Sequence, residues 1–420
     1  MLARNVKPRT YPKDEHKIDV NKIDSKALYI LEKLRVSGYI AYLVGGGVRD
    51  LLLNKRPKDF DISTSAKPEE IKTLFPSSIL IGKRFRLAHV RFGRKIIEVS
   101  TFRSGDIENE QLITEDNIWG NPEQDVLRRD FTINGLFYDS HKEEVIDYVG
   151  GYQDIQKKYL RAIGQPYLRF KQDPVRMIRC LKFQARYGFS VDDEARLALI
   201  ECKKEIIKSA QARVLEELLR MLESGSSFSF FKLMTDHGLL QQLLPTLADF
   251  LEKPEGSKIY DYLQEADGTL KEPHQPLLER PVLVACLIFP LLEKHLKTHF
   301  TDREKIPHLG DIFVEADNLI DSIFTTFFRL PRRLRISTVS LLVSQYRITP
   351  FTKRKQRQIR IPKVPGFDLS LQFLNLRARI QPALQETTTL WNEAFEKFTE
   401  TNELPLRKPR RRVRRPRRKS

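Results

Sequence analysis

The sequence predicts an α+β protein, with an N-terminal head built on a small mixed β-sheet and helices, followed by an all-α C-terminal region. Three observations lead there. Up to about residue 158, short Val- and Ile-rich segments alternate irregularly with helical periodicity. Beyond Asp173-Pro174 the strand signals fade, and VRMIRCLKFQARYGF, ARVLEELLRMLESG and SFFKLMTDHGLLQQLLP make residues from 160 onward read as helical. The chain has 420 residues, 40% hydrophobic and 10% aromatic, enough for roughly two to four domains rather than one small core.

Taken in order, residues 1–24 read as a polar N-terminal arm. Ser25 then opens KALYILEKLRVSGY as N-cap of an amphipathic helix with apolar residues at Leu28, Leu31, Leu34 and Val36 that stops near Gly38. YIAYLV (39–44) reads as a strand, GGG (45–47) breaks it, and VRDLLLN resumes as helix. DFDIST reads as a strand, and Pro68-Glu69-Glu70 opens a helix reaching Phe75. SILIG, HVRFG and KIIEVSTF read as further strands. The expected domains are a catalytic head over 25–158, a helical neck over 159–240, a helical body over 241–403, and a disordered Arg-rich tail over 404–420.

The formal net charge is +18, and residues 405–420, PLRKPRRRVRRPRRKS, hold ten Lys or Arg and no acid. Without them the chain still carries a formal +8. This balance favours a polyanionic partner, nucleic acid before an anionic membrane surface. The preference for Arg over Lys points to phosphate, which Arg grips with a bidentate fork. Cys180, Cys202 and Cys286 are far apart and suggest neither a disulfide framework nor a CxxC metal site, which fits a reducing compartment. The N-terminus does not read as a signal peptide. VLVACLIFPLL (282–292), interrupted by Pro290, is too short to span a bilayer and reads as a buried helix. A soluble, cytoplasmic protein is expected.

Side chains alternate faces along a strand, so Asp59 and Asp61 in DFDIST should point together while Phe60 turns to the core. Neighbouring carboxylates repel unless a dication lies between them, as two-metal phosphoryl transfer requires. An isolated D-x-D is more often a pair of solvated carboxylates. Its context here is GGGVRD, set between a strand and a helix, where glycines let the backbone approach a phosphate and free N–H groups accept an anion. Arg49, in the first turn, can reach the same anion. A simple tight turn also accounts for those glycines.

The full string LVGGGVRDLLLNKRPKDFDI resembles the signature of class II nucleotidyltransferases of the polymerase-β superfamily, which comprises bacterial poly(A) polymerases and tRNA CCA-adding enzymes. RRDFTING (128–135), DYVGG (147–151) and QDPVRMIR (172–179) match further motifs of that family in order: the second motif, a flexible turn and the nucleotide-selecting motif. The resemblance implies a nucleotidyltransferase head in which Asp59 and Asp61 carry Mg²⁺ and Gly46 and Arg49 touch the nucleotide phosphates. It implies that Arg129 and Asp130 line the catalytic and sugar-binding wall. Asp130 is then the third acid that helps activate a primer 3′-hydroxyl, with Glu98 in KIIEVSTF as runner-up. It implies that Asp173 and Arg176 hydrogen-bond the incoming base in place of a template, with Arg179 holding base or phosphate. Read without the resemblance, Asp173-Pro174 is a helix N-cap followed by Pro at N1, and Arg176, Arg179, Phe183 and Arg186 form one helical stripe. The family motif usually begins Glu-Asp, and this chain has Gln172-Asp173. If that Glu anchors a neighbouring Arg, nucleotide selectivity is looser here.

ILIGKRFRLAHVRFG (79–93) resembles the corresponding stretch of bacterial poly(A) polymerases, with Lys83, Arg84 and Arg86 suited to phosphate and His89 read as structural. The basic tail is similar too, and a flexible cationic tail raises affinity for any RNA through counterion release. The expectation is AMP addition from ATP to RNA 3′ ends. A tRNA CCA-adding enzyme is the alternative, and a non-catalytic RNA-binding protein of the same fold a second one. FRLPRRLRIS (328–337) and FTKRKQRQIR (351–360) read either as an RNA path or as solvated basic faces.

Overall fold

The computed structural model describes residues 7–82, 87–104, 118–272, 277–351, 359–362 and 364–401. Lys83, Arg84, Arg86 and the basic tail lie outside them. The chain divides into two compact units, one running to Asp249 and including Thr326–Phe328, the other formed by the rest from Phe250.

In the first unit the described residues form an eight-stranded sheet. Edge to edge it runs Arg9–Tyr11, Glu144–Asp147, Leu136–Asp139, Ala41–Val44, Asp61–Thr64, Lys95–Thr101, Leu87–Phe92 and Ile79–Ile81. Neighbours are antiparallel except for Asp61–Thr64 beside Lys95–Thr101, so the sheet is mixed, as expected. One sheet face packs on Val44, Phe102, Val126, Phe137, Ile146 and Ile163. The segment expected as a polar arm closes one sheet edge. Its Tyr11 is buried and stacks on Tyr152 at 3.9 Å, and His16 and Ile18 are buried after it. A three-residue edge strand needs only one inward side chain, so composition conceals it. The helix Ser25–Val36 forms as expected, but Asp24 caps it, its carboxylate accepting the Lys26 N–H.

The helices Pro166–Gln172, Val175–Tyr187, Asp193–Cys202 and Gln211–Leu222 continue this unit. The region is not purely helical, because Tyr159–Leu160 pairs in parallel with Ser190–Val191. Strands of two residues carry no periodicity to be read. Gly188, at φ +66°, ends the helix Val175–Tyr187 in the left-handed cap that glycine favours.

The second unit is helical among its described residues, with long helices at Ser257–Lys271, Arg280–His299, Leu309–Phe324, Arg332–Ile348, Phe367–Ile380 and Gln385–Thr401. Arg280–His299 is buried continuously from Pro281 to Leu292, Pro290 included, and Phe289 packs on Tyr262 and Phe373. An apolar helix surrounded by other helices needs no lipid. Among the described residues, no helix is long and apolar enough to cross a membrane. In the basic stretch 328–337, Arg335 is held by Asp317 and Asp321, while Arg332 and Arg333 are exposed.

Candidate active site

The strand begins at Asp61, with Asp59 in the segment leading into it. Both aspartates are open to solvent and Phe60 is buried between them. Parallel register sets Asp61 beside Glu98, and register partners project from the same sheet face. The Asp61 carboxyl is pushed up to about 6, first by the protein crowding round it, then by the charges of Glu98 and Asp59, with Arg129 opposing. Glu98, the runner-up, therefore stands with the acidic pair. His89, which pairs with Glu98 across antiparallel strands, brings Nε2 within 3.2 Å of Glu98 Oε1.

Asp130 has a different setting. It is buried, and its carboxylate accepts from Arg179 Nε at 2.7 Å, Asn134 Nδ2 at 3.0 Å and the Phe131 N–H at 2.8 Å. Burial opposes its ionisation, but the Arg179 charge and these hydrogen bonds overcome that and hold it well below the usual carboxylate range. Placed in this way, Asp130 is the buried counter-ion of Arg179.

The chain leaves the strand Ala41–Val44 through Gly45 at φ +65°, and the helix Gly46–Leu52 follows at once. A Cβ on Gly45 would lie 3.1 Å from Arg129 Nη1, so the turn and this guanidinium are in close contact. Arg129 donates to Asp125 Oδ2 at 2.8 Å and to Ser63 Oγ at 3.3 Å. Arg49 also lies against the turn, its Nη2 3.4 Å from where a Cβ on Gly46 would stand. It is buried, donating to Asn134 Oδ1 at 2.5 Å, Asp50 Oδ1 at 2.8 Å and the Tyr187 hydroxyl at 2.8 Å. Its guanidinium also covers the rings of Phe183 and Tyr187. Arg49 thus ties the helix Gly46–Leu52 to the helix Val175–Tyr187, and Arg129 is the cation beside the acids. Sequence reasoning overlooked Asn134 and Tyr187, which complete this tie from positions distant in the chain.

At the start of the helix Val175–Tyr187, Asp173 does not cap. Its carboxylate takes both arms of Arg213, at 3.0 and 2.8 Å. Arg176 is buried and donates to the carbonyls of Arg169 and Arg128. Arg169, fully enclosed, donates to Gln172 Oε1 at 2.8 Å and to the Arg128 and Arg129 carbonyls at 2.8 and 2.9 Å. Burial first, then the neighbouring arginines, push Arg128 and Arg169 down to about 9, still protonated at neutral pH. The arginine stripe is therefore largely an internal network rather than a solvated face. In the DYVGG turn, Asp147 accepts the N–H groups of Val149, Gly150, Gly151 and Tyr152.

Comparison with known proteins shows the family of the chain. The model of the poly A polymerase head domain matches residues 41–161, and that of the probable RNA and SrmB-binding site of polymerase A matches 188–251. Poly(A) polymerase I of Escherichia coli O157:H7 is 34% identical over 97% of this chain and 92% of its own. The chain belongs to the poly(A) polymerase family. Another member, poly(A) polymerase I of Salmonella typhimurium, is 33% identical over 91% of this chain and 84% of its own. The CCA-adding enzyme of Staphylococcus saprophyticus is 38% identical, but over 48% of this chain and 50% of its own. Among solved structures, the Bacillus stearothermophilus CCA-adding enzyme in complex with CTP matches with a TM-score of 0.62 at 23% identity, covering 89% of this chain and 82% of that one. The family fold thus extends through the helical region.

Proposed function

We infer that the chain is a template-independent polynucleotide adenylyltransferase that adds AMP from ATP to RNA 3′ ends. The observation that carries this reading is the acidic cluster of Asp59, Asp61 and Glu98 beside the glycine turn. Similarity to poly(A) polymerase I over nearly the whole chain supports the choice of AMP. Similarity to a CCA-adding enzyme that spans about half of each chain supports CCA addition less.

In the reaction the 3′-hydroxyl oxygen of RNA attacks the α-phosphorus of ATP, and the bond to pyrophosphate breaks. A carboxyl raised to about 6, first by burial and then by the charges of Glu98 and Asp59, is one that a cation relieves, so the cluster fits Mg²⁺. Asp59 and Asp61 would hold the ions, with Glu98 as the third carboxylate in place of Asp130. Bound there, Mg²⁺ supplies an acidified primer hydroxyl and neutralises the triphosphate. Arg129, held in place by Asp125 and Ser63, and the backbone at Gly46 face the phosphates. Asp173 and Arg176, with Arg213 sharing the Asp173 carboxylate, contact the base. Arg179 and Arg49 hold the selecting helix in place from behind. The basic tail adds affinity for RNA without reading its sequence, and a cytoplasmic setting supplies both substrates.

The test is to incubate the protein with a non-tRNA oligonucleotide, ATP and Mg²⁺. A long A tail, lost in Asp61→Asn, is expected. Addition of CTP and ATP to tRNA alone would overturn AMP polymerisation, and RNA binding without extension by any nucleotide would mark a non-catalytic RNA-binding protein.

A further inference from the structure

In the helical second unit, three potential metal ligands converge. His295 and His299 lie four residues apart on the helix Arg280–His299, so both project from one face. Glu315, on the neighbouring helix Leu309–Phe324, reaches between them. The His299 Nδ1 is 3.2 Å from Glu315 Oε1 and the His295 Nδ1 is 3.8 Å from Oε2. One ligand atom from each of the three residues falls within 4.8 Å of the others. The imidazole rings stand 5.4 Å apart with an interplanar angle of 62°.

We propose that His295, His299 and Glu315 form a site for a divalent transition-metal ion of the Zn²⁺ type, cross-linking the two helices. The donor set decides the class of ion: two imidazoles and one carboxylate suit Zn²⁺, Co²⁺ or Ni²⁺, whereas Mg²⁺ prefers oxygen alone. The spacing fits as well. Ligands about 2.0–2.1 Å from a tetrahedral ion lie about 3.4 Å from one another, and the three ligand atoms here lie within 4.8 Å of one another, so side-chain rotations that draw them together by about 1 Å close them on an ion. Both histidines and the carboxylate are accessible to an entering ion, with side chains 42%, 44% and 22% exposed. Three protein ligands leave the fourth position to water. The metal binds apart from the polymerising chemistry and acts as a clamp on the helical unit.

The untagged, full-length protein is stripped with a chelator and returned to excess Mg²⁺, which saturates the Asp59–Asp61 centre. Co²⁺ and Zn²⁺ are then titrated, following cobalt d–d absorption and heat. One equivalent is expected to bind in a tetrahedral environment, and Zn²⁺ should raise the unfolding midpoint. Removing even an outer partner of a metal ligand costs about 10–100-fold in affinity, so His299→Gln and His295→Gln should each lose at least about tenfold and abolish the shift. Asp61→Asn should leave binding intact. No binding by the native chain, binding undiminished in both histidine variants, or binding lost in Asp61→Asn would each overturn the proposal, leaving ordinary His–Glu hydrogen bonds.

Discussion

Arg179 Nε donates to Asp130 Oδ2 at 2.7 Å, joining the helix Val175–Tyr187 to the RRDFTING segment. Asn134 extends the tie, donating to Asp130 and accepting from Arg49. A polar chain therefore runs from the helix Gly46–Leu52 that follows the glycine turn to the helix that carries Arg176.

Asp130→Ala should consequently behave as a folding variant. It leaves Arg179 and Asn134 without their shared partner. Breaking a fully buried ion pair costs about 3–5 kcal/mol, and because Arg179 is about a third exposed, a loss of about 2–3 kcal/mol is expected after screening. Denaturant unfolding measures it. Asp59→Asn and Asp61→Asn should abolish extension with stability unchanged or raised, and an Asp130→Ala protein of native stability would refute the counter-ion role.

Asp61 implies an unusual pH dependence. Its carboxyl is pushed up to about 6 in the folded protein, from the ordinary aspartate value of 3.8. A raised folded-state pKa means that protons stabilise the fold, so this contribution is fully present below about 4 and is lost as pH rises through about 6. Solvent access to Asp61 reduces the effect to about 1 kcal/mol. Unfolding of the chelated protein at pH 4, 5, 6 and 7 should show the loss, which Asp61→Asn or saturating Mg²⁺ removes. Glu98→Gln should lower the Asp61 pKa and cut the extension rate. Stability that rises between pH 4 and 6, with no difference between native and Asp61→Asn, would contradict the assignment.

The two glycines of DYVGG should respond unequally to alanine. A Cβ on Gly151 would sit 2.0 Å from the Thr132 carbonyl oxygen, with the turn already fixed by Asp147. Gly150 has φ +82° and open space around its Cβ position. Gly151→Ala should therefore cost about 3 kcal/mol or more through overpacking. Gly150→Ala should cost about 1–2 kcal/mol through the left-handed backbone alone. Equal losses in urea unfolding would count against this close packing.

What could be read from the sequence was local. The alternation in DFDI placed Asp59 and Asp61 on one exposed side because strand periodicity needs no partner. That Glu98 stands beside Asp61 needed the parallel register of two strands, which nothing in either segment encodes. Arg49 is engaged by Asn134 and Tyr187, which lie 85 and 138 residues away and which its own segment does not reveal. Asp173 before Pro174 had the composition of a cap, yet Arg213 takes its carboxylate from another helix. In each case a long-range partner redirected a side chain whose local pattern was sound.

Gln172 is where this chain departs from the Glu-Asp of its family. Its Oε1 accepts from Arg169, and Arg169 holds the Arg128 and Arg129 carbonyls. Arg176 is oriented by two carbonyls of the same network, those of Arg169 and Arg128. A neutral acceptor at 172 leaves the buried arginines with less opposing charge, and Arg169 stands at about 9 largely through burial and its neighbour Arg176. In Gln172→Glu a carboxylate would meet a guanidinium that is already desolvated. The added charge–charge hydrogen bond should raise stability by about 1 kcal/mol. With Arg169 held more firmly, Arg176 should contact the base in a narrower range of poses. The ratio of ATP to CTP incorporation should rise, with the rate on ATP alone little changed. Competition assays on a non-tRNA primer, together with thermal unfolding, read both effects; an unchanged ratio would show that Arg176 is positioned independently of residue 172.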